Sequence, residues 1–174
     1  MVNMPDLRPK PGHRAALLLA AGCCMATAVP AGPQAAAPAA EEVTQVQACL
    51  DQAAQRHGVE ASLLRAVAMQ ESGLQPAAWR RNTDGSEDLG LMQVNSRWLP
   101  TLQGYGITRQ HLMQACVSAD VGAWILRQMI ERHGHTWQGV AAYHSSTPAY
   151  NQRYAWAVYR RLQAMRSATS MQPR

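Results

Sequence analysis

Apolar side chains recur every three or four residues between positions 43 and 162, which is the spacing of amphipathic helices. The four clearest stripes are Val43, Val46 and Leu50, then Leu63, Leu64 and Val67, then Val121, Trp124, Ile125 and Met129, and finally Tyr154, Val158 and Leu162. Gly58, Gly73 and Gly134 follow the first three stripes, where glycine commonly ends a helix. No run alternates strongly enough to predict a strand outside 82–88. The pattern predicts a mainly α fold with at most a small β-hairpin near 82–88.

Polar residues and proline predict where these helices begin. The expected starts are Glu60 with Ser62 for the second helix, Thr108 for a third, Asp120 for a longer one, Thr136 for the segment that carries Tyr143, and Pro148 for the last. Glu71 then falls in the last turn of the second helix. Asp84-Gly85, within residues 82–86, predicts a turn or tight hairpin.

The first 28 residues have the features of an export signal. Basic residues precede the apolar stretch 15–21, and Ala26-Thr27-Ala28 offers small residues to a signal peptidase. The apolar stretch is too short for a membrane-spanning helix. We therefore expect cleavage near Ala28 and a periplasmic protein. Acylation of Cys23 as a lipoprotein is the alternative, and it also places the mature protein outside the cytoplasm.

The rest of the chain divides into a linker, one domain and a tail. Residues 29–40 are almost wholly Ala, Pro and Gly, which predicts a linker, and we expect the domain at 41–166 and a disordered tail at 167–174. Cys49 and Cys116 are the only cysteines after the signal. In an oxidising compartment they suggest a disulfide, and two separate buried thiols are the alternative.

Charge narrows the possible partners only a little. Without residues 1–28 the chain keeps thirteen arginines against ten acidic residues, or about +3. A mildly basic surface fits an anionic polymer such as the bacterial cell wall, but it also fits an ordinary soluble protein. No basic run is long enough to predict nucleic-acid binding. The histidines show no metal-ligand spacing beyond a bare His133/His135 pair, so we expect no metal.

The candidate chemistry lies in two neighbouring segments. Glu71-Ser72-Gly73 ends an apolar helix, and Asp88 to Ser96 follows after a polar, glycine-containing loop. Cleavage of a glycosidic bond needs a carboxyl that burial keeps protonated near neutral pH, with polar groups nearby to hold the sugar. The two segments therefore predict a glycosidase-like enzyme.

Three short motifs carry a resemblance to a known family. Glu71-Ser72, Gly90-Leu91-Met92-Gln93 and Ala142-Tyr143 are similar, in order and spacing, to the motifs of the family 1 soluble lytic transglycosylase domain of bacteria. The resemblance extends over about 49–162 and includes features of the small transglycosylases encoded with type III secretion, type IV secretion and conjugation systems. It implies a lysozyme-like domain in which Cys49 and Cys116 pair and which acts on peptidoglycan glycan strands without a metal or cofactor. We expect a monomer whose partners include components of such an apparatus.

The resemblance also implies roles for individual residues. Glu71 would be the acid and base that cleaves between N-acetylmuramic acid and N-acetylglucosamine and forms a 1,6-anhydro product. Substrate binding would fall to Ser72, Gln93 and Asn95, with Met92 lining the groove wall and Tyr143 and Tyr154 flanking Glu71.

Two departures leave other functions open. His144 follows Tyr143 where the family usually has Asn, which favours a module that binds peptidoglycan without cleaving it. The segment around Asp88 is similar to the part of chicken-type lysozymes that supplies their second carboxylate, so Asp88 would act on the opposite face of the sugar and favour hydrolysis, as in a muramidase.

Four tryptophans and four late arginines complete the expectations. Trp79 and Trp98 could stack on sugar rings or lie in the core, whereas Trp124 and Trp156 are assigned to the core from their helical spacing. The late arginines Arg153, Arg160, Arg161 and Arg166 are expected to form a solvated helix face.

Overall fold

The structure is a computed structural model in which residues 37–145 and 148–170 are described. The predicted signal peptide and most of the predicted linker lie outside these residues. The helices are α1 Ala37–His57, α2 Ala61–Ser72, α3 Leu99–Gln103, α4 Arg109–Leu112, α5 Ala115–His133, α6 Trp137–Ala141 and α7 Pro148–Ser170, and the strands are β1 Trp79–Arg81, β2 Glu87–Leu89 and β3 Val94–Asn95. A 3-10 helix, Ser96–Trp98, follows β3. The predicted fold class, mainly α with a small β element, is confirmed.

Local signals set several helix ends as predicted. The Glu60 carboxylate accepts a hydrogen bond from the Leu63 N–H at 3.0 Å and caps α2. Gly73 ends α2 with a φ of 63°, a left-handed conformation that glycine adopts without steric cost. Thr136 caps α6 through the Gly139 N–H, and α7 begins at Pro148.

Three boundaries differ from the predictions. Helix α1 begins at Ala37, inside the predicted linker, and α7 extends to Ser170, through the first residues of the predicted disordered tail. The prediction that Asp120 opens its helix is wrong, because α5 begins at Ala115. Asp120 is instead buried inside α5, where its Oδ1 accepts a hydrogen bond from Arg56 Nη1 at 2.6 Å and lies 3.0 Å from His57 Nε2.

The small sheet has three antiparallel strands in the order β1-β2-β3, so it extends beyond the single hairpin expected. The register pairs Arg80 with Asp88 and Asp88 with Asn95. Directly paired residues share a face of the sheet, so these three side chains lie side by side. The sheet thereby delivers the Asp88 carboxylate between two potential hydrogen-bond donors.

The core lies where α1 packs on α5 and α2 packs on α7. Leu50, Leu64 and Leu126 are fully buried in it. Cys49 and Cys116 form a disulfide that joins α1 to the first turn of α5, which confirms the predicted pair. None of the helices in residues 37–145 and 148–170 combines the length and the apolar character needed to cross a bilayer.

The tryptophans divide differently from the expectation. Trp124 is buried and its ring meets that of Trp98 edge to face, with centroids 5.4 Å apart. The assignment of Trp156 to the core is wrong, because its side chain is 58% exposed. Helical spacing places Trp156 on one face of α7, but the residue stays largely open to solvent there.

Candidate active site

Glu71 lies in the last turn of α2 and is held by a residue from the far end of the chain. Tyr154, on α7, donates a hydrogen bond from its hydroxyl to Glu71 Oε1 at 2.6 Å. Tyr154 itself is buried, and burial together with the charge of Glu71 raises the pKa of its hydroxyl well above the ordinary value. The phenol therefore stays protonated and remains a donor to the carboxylate.

The pKa of Glu71 is raised from 4.5 to about 7. The largest cause is burial, because a carboxylate loses favourable hydration there. The Tyr154 hydrogen bond opposes this effect, the negative charge of Asp88 adds to it, and the positive charge of Arg80 opposes it. Near neutral pH both forms of Glu71 are populated, which suits a group that must first give and then take a proton.

Asp88 is a buried carboxylate with both oxygens engaged. Arg80 Nη2 donates to Asp88 Oδ2 at 2.7 Å, and Asn95 Nδ2 donates to Asp88 Oδ1 at 2.8 Å. Both donors come from the neighbouring strands in the register described above. Asp88 is thus held as a fixed negative charge, and that charge is felt at Glu71. Asn95, which was expected to bind substrate, donates its hydrogen bond to this carboxylate.

The backbone turn from Gly90 to Gln93 joins the sheet to α2. Ser72 Oγ donates to the Leu91 carbonyl at 2.7 Å, and Gln93 Nε2 donates to the Gly90 and Ala78 carbonyls at 2.9 and 3.1 Å. Gln93 has a φ of 46°, an uncommon left-handed conformation for a residue with a side chain. In this structure the hydroxyl of Ser72 and the amide nitrogen of Gln93 shape the turn.

Tyr143 and Met92 meet beneath this turn. The Tyr143 hydroxyl donates to the Met92 carbonyl at 2.7 Å, and burial raises the pKa of that hydroxyl well above its ordinary value. The Met92 side chain is fully buried against Gly122, where an added Cβ would lie 2.5 Å from Met92. Met92 therefore supports the site from within the core, which differs from the expected position on a groove wall.

His144 stacks on the Tyr154 ring, with centroids 4.8 Å apart and planes 3° from parallel. Desolvation of the ring and the nearby charge of Arg80 lower the pKa of His144, and Asp88 opposes this shift. A flat ring at position 144 thus backs the phenol that contacts Glu71.

Arg80 is the site residue that the sequence reasoning did not single out. It follows Trp79 in β1, and its side chain is 61% exposed while the guanidinium pairs with Asp88. Its signal would have been the strand pairing across the Asp84-Gly85 turn, which sets Arg80 opposite Asp88. Within the described ranges, no cluster of three or more His, Cys, Asp or Glu residues is placed to hold a metal ion.

Comparison with known proteins identifies similar chains of bacterial origin. The family model described as the transglycosylase SLT domain matches residues 48–157. Invasion protein IagB of Salmonella typhimurium (strain SL1344) is 42% identical over 125 residues, covering 67% of this chain and 78% of IagB. Protein IpgF of Shigella flexneri is 33% identical over 118 residues, covering 65% of this chain and 78% of IpgF. A peptidoglycan-binding-like protein of Escherichia coli O157:H7 is 32% identical over 124 residues, covering 64% of this chain and 74% of that protein.

Proposed function

Because the chain belongs to the transglycosylase SLT domain family, we propose that it is a lytic transglycosylase that cleaves the β-1,4 bond between N-acetylmuramic acid and N-acetylglucosamine in peptidoglycan. The family match and the relatives support a lytic transglycosylase-like function. The observation that supports cleavage of this bond by Glu71 is its desolvated carboxyl with a pKa of about 7. Such a group can act as both acid and base at neutral pH.

The proposed reaction needs one proton, which Glu71 gives and recovers. Protonated Glu71 donates to the glycosidic oxygen, the bond between this oxygen and the muramic acid C1 breaks, and the N-acetylglucosamine fragment leaves with the proton. The Glu71 carboxylate then accepts the proton of the muramic acid 6-hydroxyl as that oxygen bonds to C1. The product is a 1,6-anhydro sugar, no water is consumed, and Glu71 returns to its starting form. Tyr154 keeps the carboxyl oriented through both steps.

Asp88 is proposed as an electrostatic stabiliser of the positive charge that develops on the sugar ring. The contacts with Arg80 and Asn95 engage both of its oxygens, which favours a fixed charge over an attacking nucleophile. A muramidase is the second candidate function, because a second buried carboxylate near the acid is also what a hydrolase uses. In that case water would reach the intermediate before the 6-hydroxyl does.

The site of action follows from the substrate. Peptidoglycan lies outside the cytoplasm, so the protein is proposed to act in the periplasm after export. The resemblance to transglycosylases of secretion and conjugation systems supports a role in opening the wall locally for such an apparatus. Its relative IagB is named an invasion protein.

The test compares wild-type protein, purified from the periplasm, with Glu71→Gln on intact peptidoglycan. The amide keeps the shape of the side chain but cannot donate the proton, so turnover should fall by about 100-fold or more. Glu131→Gln is the matched control, because Glu131 is an exposed residue of α5 paired with Arg127. Equal clearing by wild type and Glu71→Gln would contradict the assignment. Binding without clearing by the wild type would favour the non-catalytic module.

A further inference from the structure

A pocket lies between α6 and α7, on faces that do not carry the Glu71 contact. Three aromatic residues form it: Tyr159 meets Trp137 and Trp156 edge to face, with ring centroids 5.4 and 5.6 Å apart. Trp137 is 40% exposed and Trp156 is 58% exposed. Exposed aromatic rings that cluster around a pocket make it a candidate binding surface.

The rest of the lining is uncharged. Three amide side chains, Gln138, Asn151 and Gln152, join two alanines around a volume of about 430 Å³. This volume is within the range of small-molecule sites. A ligand in this pocket would therefore meet aromatic rings together with amide groups that can donate and accept hydrogen bonds.

We propose that this pocket is an accessory site for a neutral N-acetylhexosamine unit of the glycan strand. A pyranose ring offers an apolar C–H face that fits an indole or phenol ring, and its hydroxyl and N-acetyl groups both donate and accept hydrogen bonds. This combination matches a lining of aromatic rings and amides, and the absence of charge among the lining residues matches an uncharged sugar. An apolar protein segment could cover the rings but would offer no hydrogen-bond partners to the exposed amides of Gln138 and Gln152. The proposal rests on the proposed function, which supplies the glycan.

Helix α7 connects the accessory site to the catalytic site. Tyr154 faces Glu71, whereas Ala155, Trp156 and Tyr159 lie on the faces turned toward the pocket. Successive helical residues point about 100° apart, and a helix with its side chains is roughly 10 Å wide, so the two sites lie on different sides of one helix. The accessory site would therefore retain the enzyme on long polymer and take no part in bond cleavage.

The test measures binding to insoluble, purified peptidoglycan by cosedimentation, with the full-length protein carrying Glu71→Gln to prevent digestion. Trp156→Ala and Trp137→Ala added to this parent should each raise the Kd roughly tenfold, as expected for loss of one aromatic contact. Trp156→Tyr should restore most of the affinity because it keeps a ring. Tyr105→Ala is the matched control, since Tyr105 is 43% exposed and lies outside the pocket.

Each outcome decides the proposal. Weaker binding by both alanine variants, with unchanged thermal unfolding and an unaffected Tyr105→Ala control, supports the accessory site. Equal Kd values for the parent and both variants would overturn it while leaving the proposed enzyme intact. A defect seen only with whole cell envelopes, and absent with purified peptidoglycan, would assign the pocket to a protein partner and also overturn it. Failure of the parent itself to bind peptidoglycan would defeat the proposed function as well.

Discussion

At the scale of single residues, the proposed chemistry depends on one carboxyl whose neighbours act in opposite directions. Burial and the charge of Asp88 raise the pKa of Glu71, whereas the Tyr154 hydrogen bond and the charge of Arg80 lower it. The balance is a pKa of about 7. If Glu71 is the acid, activity should fall as the pH rises through this value, because the proton needed for the first step is lost.

Substitution of two neighbours of Glu71 should shift, in opposite directions, the pH at which activity falls on the alkaline side of the profile (the alkaline limb). Asp88→Asn removes the negative charge that disfavours ionisation, so the limb should move to lower pH. Tyr154→Phe removes the hydrogen bond that favours ionisation but keeps the ring stacked on His144, so the limb should move to higher pH. The pH profile of kcat/KM for muropeptide release measures both. Profiles that coincide with that of the wild type would show that Glu71 is not the titrating group.

Glu71 should also make the free energy of unfolding depend on pH. Its raised pKa means that the folded state favours the neutral form, so stability falls as the pH rises from 4.5 to about 7. Glu71→Gln removes this penalty and should stabilise the protein at pH 8 by about 1–3 kcal/mol, with little effect at pH 4. Urea unfolding of wild type and variant at both pH values tests this. A stability difference that is the same at both pH values would contradict the buried state of Glu71.

At the scale of elements, the turn between β2 and β3 joins the sheet to the helices. Ser118 Oγ accepts the Met92 N–H at 3.0 Å, and Tyr143 donates to the Met92 carbonyl. Ser72 reaches the same turn from the end of α2. The positions of Glu71 and Asp88 relative to each other therefore depend on this short segment.

Gly90 is the residue in this turn that should tolerate substitution least. It has a φ of 73°, and an added Cβ would lie 1.9 Å from the Leu112 carbonyl oxygen. Gly90→Ala should therefore destabilise the fold by about 4 kcal/mol or more. Gly85→Ala is the matched control, because Gly85 also has a positive φ, 82°, but open space around it, so only the conformational cost of about 1–2 kcal/mol applies. Equal losses in thermal unfolding would contradict the close packing of Gly90.

The sequence predicts elements well where the signal is local. The bounds of α2 follow from the Glu60 cap and from Gly73, both next to the helix they limit. Asp120 misled the prediction because it has the side chain of a cap, yet its partners Arg56 and His57 lie more than sixty residues away. The two-residue strand β3 is too short to show alternation.

Some features of the candidate site likewise have a local signal in the sequence, whereas others depend on distant parts of the chain. Local sequence context predicts roles for Glu71 and Asp88, and the family resemblance predicts one for Tyr154. The pairing of Arg80 with Asp88 was not predicted because it depends on the register of the strands. The exposure of Trp156 was missed because helical spacing shows which residues share a face, but it does not show whether another element covers that face.

At the scale of the whole molecule, one covalent link joins two of the longest helices. The disulfide between Cys49 and Cys116 closes a loop with a sequence separation of 67 residues. In the chain-entropy model a bond of this span contributes about 4 kcal/mol, so reduction should lower the Tm by roughly 10 °C. A Cys49→Ser, Cys116→Ser variant should unfold at the lower temperature with or without reductant. An unchanged Tm of the wild type on reduction would contradict a stabilising bond.

The chemical form of the reaction product tests the proposed transglycosylase activity most directly, because it shows whether the 6-hydroxyl or water attacks the muramic acid C1. Muropeptides released from purified peptidoglycan would be separated and weighed, because anhydro and reducing ends differ by one water. A lone acid and base that activates the 6-hydroxyl should yield mainly 1,6-anhydro ends, and Glu71→Gln should abolish them. Products dominated by reducing ends would contradict this account and would make the protein a muramidase.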